Sequence, residues 1–141
     1  MKRWWKQPVA GDLVWCFFPQ DDELEPGPKP RPGLLMTVKR VVGTEDRFAV
    51  QVAYGTSQKV DSLYSGEFAI DRRDKVVFKL SGLSFPTKFN LQNIVELPYN
   101  DCWFSIPPQP RHGQNPKLGT LHPSLMRRLR AARDAANAKD S

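Results

Sequence analysis

The sequence has few of the side chains that bind metals or form cross-links. Its 141 residues include two cysteines and two histidines. Cys16 and Cys102 lie far apart without metal-ligand spacing, and neither His112 nor His122 has a clustered partner. We therefore expect no metal site and no cofactor. Cys16 falls inside a predicted strand, so we expect it to be a buried, unreactive thiol.

Long apolar segments are also missing. No segment approaches the ~18 consecutive apolar residues of a membrane-spanning helix. The basic N-terminus is followed by Pro8 and Asp12 before the apolar core of a signal peptide can form. We therefore expect a cytoplasmic protein with no membrane partner.

Positive charge and proline are abundant. The formal net charge is +6, and 13 residues are proline. This balance favours an anionic partner, either a nucleic acid or an acidic protein segment. The charge is unevenly distributed, with acidic residues in the first long loop and arginines near the C-terminus: Asp21, Asp22, Glu23 and Glu25, then Arg127, Arg128, Arg130 and Arg133.

Short apolar segments separated by turn residues predict a mainly β domain. The clearest alternating pattern places Phe48, Val50, Val52 and Tyr54 on one face of a strand. A hairpin loop over 43–46 precedes it. Strands this short and closely spaced are typical of a small barrel. The other expected strands are 13–18, 34–42, 67–70, 76–80 and 94–97, whereas 85–91 is ambiguous.

The C-terminal region differs in composition. We divide the chain into a barrel domain over 1–106, a Pro-rich linker over 107–122 and a basic helix and tail over 123–141. The linker is rich in proline, glycine and polar residues. An amphipathic helix is expected over 123–137, because apolar residues recur there at helical spacing. These residues are Leu125, Leu129, Ala132 and Ala136.

The segment from Pro26 to Met36 contains the most informative pattern. Its first seven residues include four prolines, which predict an extended loop outside the sheet ladder. Arg31 lies where this stiff loop meets a strand beginning at Leu34. A cation held by both is well placed to bind an anion. Alternatively, Arg31 pairs with the acidic residues of the same loop.

Two further polar segments lie where strands meet loops. Thr56 and Ser57 follow the alternating strand, and Lys88 lies in a later Pro-Thr-Lys segment. The functional interpretation is a site at the strand ends. The alternative is structural: the hydroxyls bond their own turn and Lys88 is surface charge.

Three motifs, in this order, resemble those of the MazF/PemK family of type II toxin–antitoxin modules. They are the segments 11–15 (Gly-Asp-Leu-Val-Trp), 31–36 (Arg-Pro-Gly-Leu-Leu-Met) and 56–58 (Thr-Ser-Gln). The resemblance covers about residues 11–98 and is strongest over 11–58. It implies an SH3-like barrel with short helices and a C-terminal amphipathic helix, assembled as a homodimer.

The resemblance also implies a function. Such toxins inhibit growth as metal-independent, sequence-selective endoribonucleases, and the 2′-hydroxyl of single-stranded RNA is the nucleophile. A cognate acidic antitoxin binds the toxin, and their complex binds DNA. The first loop then becomes a lid over the RNA groove, as opposed to a flexible surface insertion.

Site residues follow from the same resemblance. Arg31 would stabilise the phosphorane, and Thr56 or Ser57 would bond the scissile phosphate. Lys88 and Asn90 occupy the positions of an arginine and aspartate that serve as acid and base in some members. Asparagine cannot act as a general base near neutral pH. The base is then elsewhere, cleavage is slow, or the barrel binds RNA without cutting it.

Other residues are candidates for the general base of the reaction or for contacts with RNA. Asp12 and Glu67 are ionisable alternatives for the base, although a turn and a strand-edge role suit them better. Tyr54 and Trp103 are candidates for base stacking or for core packing, and Trp103 for fastening the tail. The expected catalytic residues are Arg31, Thr56, Ser57 and Lys88, and the expected RNA-contacting residues are Lys29, Gln58, Lys59, Phe89 and Asn90.

Two other functions stay open at this point. One is a non-catalytic SH3-like barrel, phage- or plasmid-associated, that binds RNA or a protein. The other is an assembly protein whose basic tail binds nucleic acid.

Overall fold

A computed structural model describes residues 2–20, 25–108 and 113–140. Within these ranges the chain is mainly β, with six strands, two α-helices and one 3₁₀ turn at Pro123–Leu125. The strands are β1 (Asp12–Cys16), β2 (Arg31–Arg40), β3 (Phe48–Thr56), β4 (Glu67–Ile70), β5 (Thr87–Pro98) and β6 (Lys117–Thr120), and the helices are α1 (Lys75–Ser81) and α2 (Met126–Asp140).

The six strands form one antiparallel sheet in the order β4-β5-β3-β2-β1-β6, curled into a half-barrel. Helix α1 contacts both edge strands, β4 and β6, and so spans the opening between them. The contact with β6 is a backbone contact. A Cβ atom on Gly119 would lie 2.3 Å from the carbonyl carbon of Ser81. The mainly β fold is therefore confirmed, and the curled half-barrel is consistent with the small barrel that was predicted.

The central strands are buried on both faces, as expected for β1. Successive residues of a strand point to opposite sides, and each side here has its own core. Leu13, Leu34 and Ala53 pack with α1 and α2, whereas their neighbours pack with the N-terminal segment and residues 97–104. These neighbours are Val14, Leu35 and Val52, and Trp103 lies in the same core.

The segment predicted as a strand over 76–80 is instead helix α1. Its β-branched valines favour a strand, but local capping determines the outcome. The Asp74 carboxylate accepts hydrogen bonds from the amides of Val76 and Val77, both at 3.1 Å. Gly82 ends the helix in the left-handed conformation, with φ at 71°.

Two strands are longer than expected. Strand β2 begins at Arg31, so Pro32 pairs with Trp15 in the ladder near the strand start, where proline is tolerated. The ambiguous segment 85–91 and the predicted strand 94–97 join into β5. A register shift opposite Ala53 and Tyr54 absorbs the extra residues of β5.

The predicted linker over 107–122 contains strand β6, which pairs with β1 and completes the sheet. Proline content concealed this short strand. The helix expected over 123–137 is confirmed as the 3₁₀ turn followed by α2, and its apolar face is buried as predicted. None of the helices in the described ranges combines the length and apolarity needed to cross a bilayer.

Candidate functional site

One row of residues crosses the sheet where the site was expected. The β2–β3 pairing sets Gly33 opposite Tyr54, and the same register continued sets Arg31 opposite Thr56. On the other side of β3, Thr56 pairs with Lys88 of β5. Antiparallel pairing thus brings the backbones of three segments that are far apart in sequence to the same end of the sheet.

Two glycines permit unusually close packing beside this row. A Cβ atom on Gly55 would lie 2.5 Å from the Pro32 carbonyl oxygen and 2.7 Å from the Phe89 ring. A Cβ atom on Gly33 would lie 2.5 Å from Cγ2 of Val52. Only glycine avoids these overlaps, so the close packing beside this row depends on both positions.

A groove of about 340 Å³ opens at this end of the sheet. Arg31 is the only charged residue among its described lining residues, and hydroxyls and apolar walls supply the remainder. The hydroxyl-bearing residues are Thr56, Ser57, Ser84 and Thr87, and the apolar walls are formed mainly by Trp15, Leu83, Phe85, Pro107, Pro108 and Leu118.

The guanidinium of Arg31 has no hydrogen-bond or ion-pair partner among the described residues. The alternative that it pairs with acidic residues of the loop concerns mainly 21–23, which lie outside the described residues. Glu25 is described, is exposed and forms no such pair. Arg31 is itself half-buried and also borders a smaller cleft with Phe18 and Tyr54. A guanidinium at the wall of a groove is a side chain suited to an anionic ligand.

Thr56 has the turn role that was one of its two interpretations. Its Oγ1 accepts a hydrogen bond of 3.2 Å from the amide of Gln58. A hydroxyl that accepts in this way still has its own proton to donate, so the turn orients a donor in the groove. Ser57 and Gln58 are exposed, and Ser57 lines the groove beside Thr56.

Lys88, which was predicted to be catalytic, does not line the groove. Its side chain is 6% exposed, and its Nζ lies 3.0 Å from Oε1 of Glu67 and 3.1 Å from the carbonyl oxygen of Ser62. The Tyr64 ring centroid is 5.1 Å away. Glu67 also accepts a 2.7 Å hydrogen bond from the Tyr64 amide. Both members of this buried pair are occupied in holding the loop 62–67 against the sheet.

The other predicted contacts are largely structural. Phe89 is fully buried, with its ring 5.8 Å from that of Phe68, so it has no face for an RNA base. Asn90 accepts a 2.9 Å bond from the Gln92 amide at the β5 irregularity. Neither residue lines the groove, and exposed Lys29 does not line it either.

Asp12 and the two ring candidates also have structural roles. Asp12 is buried, accepts a hydrogen bond from the Val9 amide and lies 3.2 Å from Nζ of Lys117. Tyr54 packs on Phe18 with ring centroids 5.2 Å apart. Trp103 is buried, and its carbonyl accepts a bond from the Phe17 amide.

Cys16 stands beside Arg31 in the β1–β2 ladder. Burial raises the pKa of its thiol above the ordinary range, so the sulfur stays protonated and un-nucleophilic. It is buried and inert, as expected. Within the described ranges no group of His, Cys, Asp or Glu side chains has an arrangement suited to a metal ion.

Sequence reasoning missed several groove residues, above all Trp15 and Phe85. Trp15 stands in the first motif but was considered only as a strand residue. Phe85 precedes Pro86 in a segment without clear periodicity. Its 64% exposure places an aromatic ring in the groove wall. An isolated aromatic between turn residues was the one available signal.

A second cleft of about 690 Å³ adjoins the groove. The two share Ser57 and Phe85 as lining residues, and the cations Lys59, Arg72 and Arg73 line the second. A flexible chain that occupies the groove can therefore continue into the cleft.

Taken together, the groove offers a cation, hydroxyl donors and apolar walls but no carboxylate or imidazole among its described lining residues. These features fit a phosphate joined to a flat apolar group, as in a nucleotide. No protein-family model matches the chain, and no curated protein gives a significant match to it.

Proposed function

We propose that the groove binds single-stranded RNA and that the protein cleaves it as the toxin of a toxin–antitoxin pair. The observation that carries this proposal is that Arg31 and Thr56 line the same groove, which has no other charge among its described lining residues. The resemblance of the three ordered motifs to MazF/PemK toxins supplies the reaction. The same resemblance supports an SH3-like description of the half-barrel.

The proposed reaction needs no nucleophile from the protein. The 2′-oxygen of the RNA attacks the adjacent phosphorus, and the bond from phosphorus to the 5′-oxygen breaks. The products are a 2′,3′-cyclic phosphate and a 5′-hydroxyl. Arg31 stabilises the negative charge that develops on the phosphorane oxygens, and the Thr56 hydroxyl donates to one of them.

The proposed route of proton transfer differs from that in a site whose side chains act as general acid and general base. Since no titratable side chain other than arginine lines its described part, water and hydroxide take the 2′-proton and supply the proton for the 5′-oxygen. The logarithm of the cleavage rate should then rise linearly with pH between about 6 and 9, without the bell shape of an acid–base pair.

A second function is favoured by the same feature. A groove with a phosphate-binding cation and no proton-transfer residue among its described lining residues is also suited to holding RNA without cutting it. The two functions share a binding mode and differ in the fate of the bound strand.

The proposed partners are single-stranded RNA, an acidic antitoxin and a second copy of the chain. The net charge of +6 supports the two anionic partners. Arginines 127, 128, 130 and 133 are all exposed on α2 and extend the positive surface. The homodimer rests on the family resemblance alone.

The deciding experiment is RNA cleavage in EDTA. Wild type is compared with Arg31→Ala and Arg31→Lys, on RNA and on the same sequence with 2′-deoxyribose at every position. Arg40→Ala is the matched control, because Arg40 is an exposed arginine at the opposite end of the same ten-residue strand. End-group analysis identifies 2′,3′-cyclic phosphate.

We expect wild type and Arg40→Ala to cut RNA and not the deoxy strand. Arg31→Ala should be slower by about 100-fold or more, as when one stabilising donor is removed from a transition state. Arg31→Lys keeps charge but loses the bidentate geometry and should fall between them. If wild type binds RNA tightly without cleaving it, and Arg31→Ala loses this binding, the second function is established. Equal RNA cleavage and equal RNA binding by all four proteins would reject both functions.

A further inference from the structure

The exposed ring of Phe85 stands between the groove and the second cleft. Phe85 lines both cavities, so an RNA strand that passes from one cavity to the other would cross the Phe85 ring. Most phenylalanine side chains of a folded protein are buried, whereas this residue is 64% exposed. Its ring is therefore accessible to a ligand that occupies either cavity.

Side-chain hydrogen bonds hold the backbone at Phe85 and at the preceding residue. Nη2 of Arg72 donates a 3.0 Å hydrogen bond to the carbonyl oxygen of Ser84. Oγ1 of Thr87 donates a 2.9 Å hydrogen bond to the carbonyl oxygen of Phe85. Pro86 fixes the next φ angle. An exposed aromatic side chain on a braced loop can bind a flat partner at low entropic cost.

Positive charge continues beyond the ring. Three cations and two carboxylates line the described part of the second cleft, which leaves one excess positive charge. Arg73 pairs with Asp71 at 3.0 Å, and Arg72 bonds to Ser84 and lies over the Phe78 ring. No ion-pair partner for Lys59 is found among the described residues. The turn holding Lys59 is closed by a 3.0 Å bond from the Ser62 amide to its carbonyl.

We propose that Phe85 stacks on one RNA base and that Lys59 binds the following phosphate. This inference rests on the proposed RNA-binding groove and extends it by one nucleotide unit, from Arg31 across the ring to the second cleft. Stacking on an aromatic side chain is a common way to hold unpaired bases and tolerates different bases. Phe85 would thus add affinity without reading the sequence.

The test measures binding of 2′-fluoro RNA, which lacks the attacking hydroxyl, by wild type and Phe85→Leu. Leucine keeps an apolar side chain and removes the ring, and Phe85→Trp enlarges the ring. Tyr64→Leu is the matched control, because Tyr64 is 66% exposed and lines neither cavity. Thermal unfolding of each variant verifies that it is folded.

Phe85→Leu should weaken the binding of a hexanucleotide by about 10-fold, and Phe85→Trp and Tyr64→Leu should leave it near wild type. Removing a single base from the RNA at one position should reproduce that loss, and Phe85→Leu should add nothing on the abasic strand. Lys59→Ala should weaken the binding of the hexanucleotide and leave the binding of a dinucleotide unchanged.

Two results separate the inference from the proposed function. If Phe85→Leu binds every RNA as wild type does while Arg31→Ala binds weakly, the stacking site is wrong and the groove stands. Should Arg31→Ala also bind normally and cleave unmodified RNA at the wild-type rate, the proposed groove is wrong. A Phe85→Leu loss that persists unchanged on every singly abasic strand would likewise overturn stacking.

Discussion

Arg31 and Lys88 lie in one row across three strands, yet their electrostatic surroundings are opposite. Arg31 lines an open groove without a described counter-charge, whereas Lys88 is buried against Glu67. A buried ammonium is tolerated only when a carboxylate and further hydrogen bonds replace its water. Glu67 and the Ser62 carbonyl supply these interactions. The same type of charge therefore lines a groove at one position and holds a loop at the other.

Replacing Lys88 should destabilise the fold. Lys88→Met leaves the Glu67 carboxylate buried without a counter-charge and should lower the free energy of unfolding by about 3–5 kcal/mol. Urea denaturation measures this loss. The double variant Lys88→Met/Glu67→Leu should recover much of it, because neither charge is then buried alone.

The control for this prediction is an exposed pair. Lys39 and Glu96 lie 2.8 Å apart with side chains 64% and 46% exposed. Lys39→Met should cost less than about 1 kcal/mol, since water replaces the lost partner. If Lys88→Met costs no more than Lys39→Met, the buried pair does not stabilise the loop.

At the scale of elements, strands with a clear alternation were predictable and capped or proline-flanked segments were not. Strand β3 was predicted because its apolar residues alternate with period two from Phe48 to Tyr54. Helix α1 was missed because two valines suggested a strand, while its start depends on one carboxylate, that of Asp74. Strand β6 was missed because its pairing with β1 is a long-range contact that no local pattern records.

The candidate site, like the fold, was predictable only in part from the sequence. The sequence indicated Arg31 and Thr56, and both line the same groove. Lys88 was predicted to be catalytic and Phe89 to contact RNA, but the burial of both side chains depends on tertiary packing that no local pattern records. Phe85 went unnoticed because an aromatic residue between turns has no periodicity to reveal which way it faces.

Helix α1 closes the half-barrel through a backbone contact that only glycine permits. A Cβ atom on Gly119 would lie 2.4 Å from the carbonyl oxygen of Leu80. Gly119→Ala should therefore separate α1 from β6 and lower the free energy of unfolding by about 1–3 kcal/mol, as overpacking does. Hydrogen exchange should become faster in α1 amides and stay unchanged in α2.

The control for this contact is Gly43→Ala. Gly43 has φ at 82°, and no atom outside its own turn lies within 4 Å of the place a Cβ atom would occupy. Alanine there adds only backbone strain of about 1 kcal/mol. Its effect on α1 exchange should be no greater than its effect on α2. Equal acceleration of α1 exchange in both variants would refute the closing contact.

For the whole molecule, two buried acids set an alkaline limit to stability. Burial is the main cause that raises the pKa of the Tyr99 phenol above its ordinary range, and Asp12 and Cys16 add repulsion. Burial alone raises the pKa of the Cys16 thiol. Both groups stay protonated in the folded state at pH values where the unfolded chain has lost these protons.

The sign of the effect follows from this difference. Above the unfolded pKa values, about 8.5 for cysteine and 10 for tyrosine, the folded state binds more protons, so the free energy of unfolding falls as pH rises. Each group contributes up to about 1.4 kcal/mol per pH unit. Urea denaturation of wild type between pH 8 and 11.5 should show this decline.

The matched variant is Tyr99→Phe, which keeps the ring and removes the titrating hydroxyl. Its decline between pH 10 and 11.5 should be shallower than that of wild type, and Cys16→Ala should instead flatten the curve from about pH 8.5. Parallel curves for all three proteins would contradict the assignment of the alkaline limit to these two groups.

The glycines beside the site carry a consequence for any mutational scan of this chain. Gly33 is two residues after Arg31, and Gly55 immediately precedes Thr56. Each fills a place where a methyl group would overlap its surroundings. If the variants are scored by activity alone, Arg31, Gly33, Gly55 and Thr56 would all appear equally intolerant of substitution. The two glycines need not contact any ligand for this to happen. A parallel score for protein abundance would separate them: glycine variants would lose abundance and activity together, and variants at Arg31 would lose activity alone.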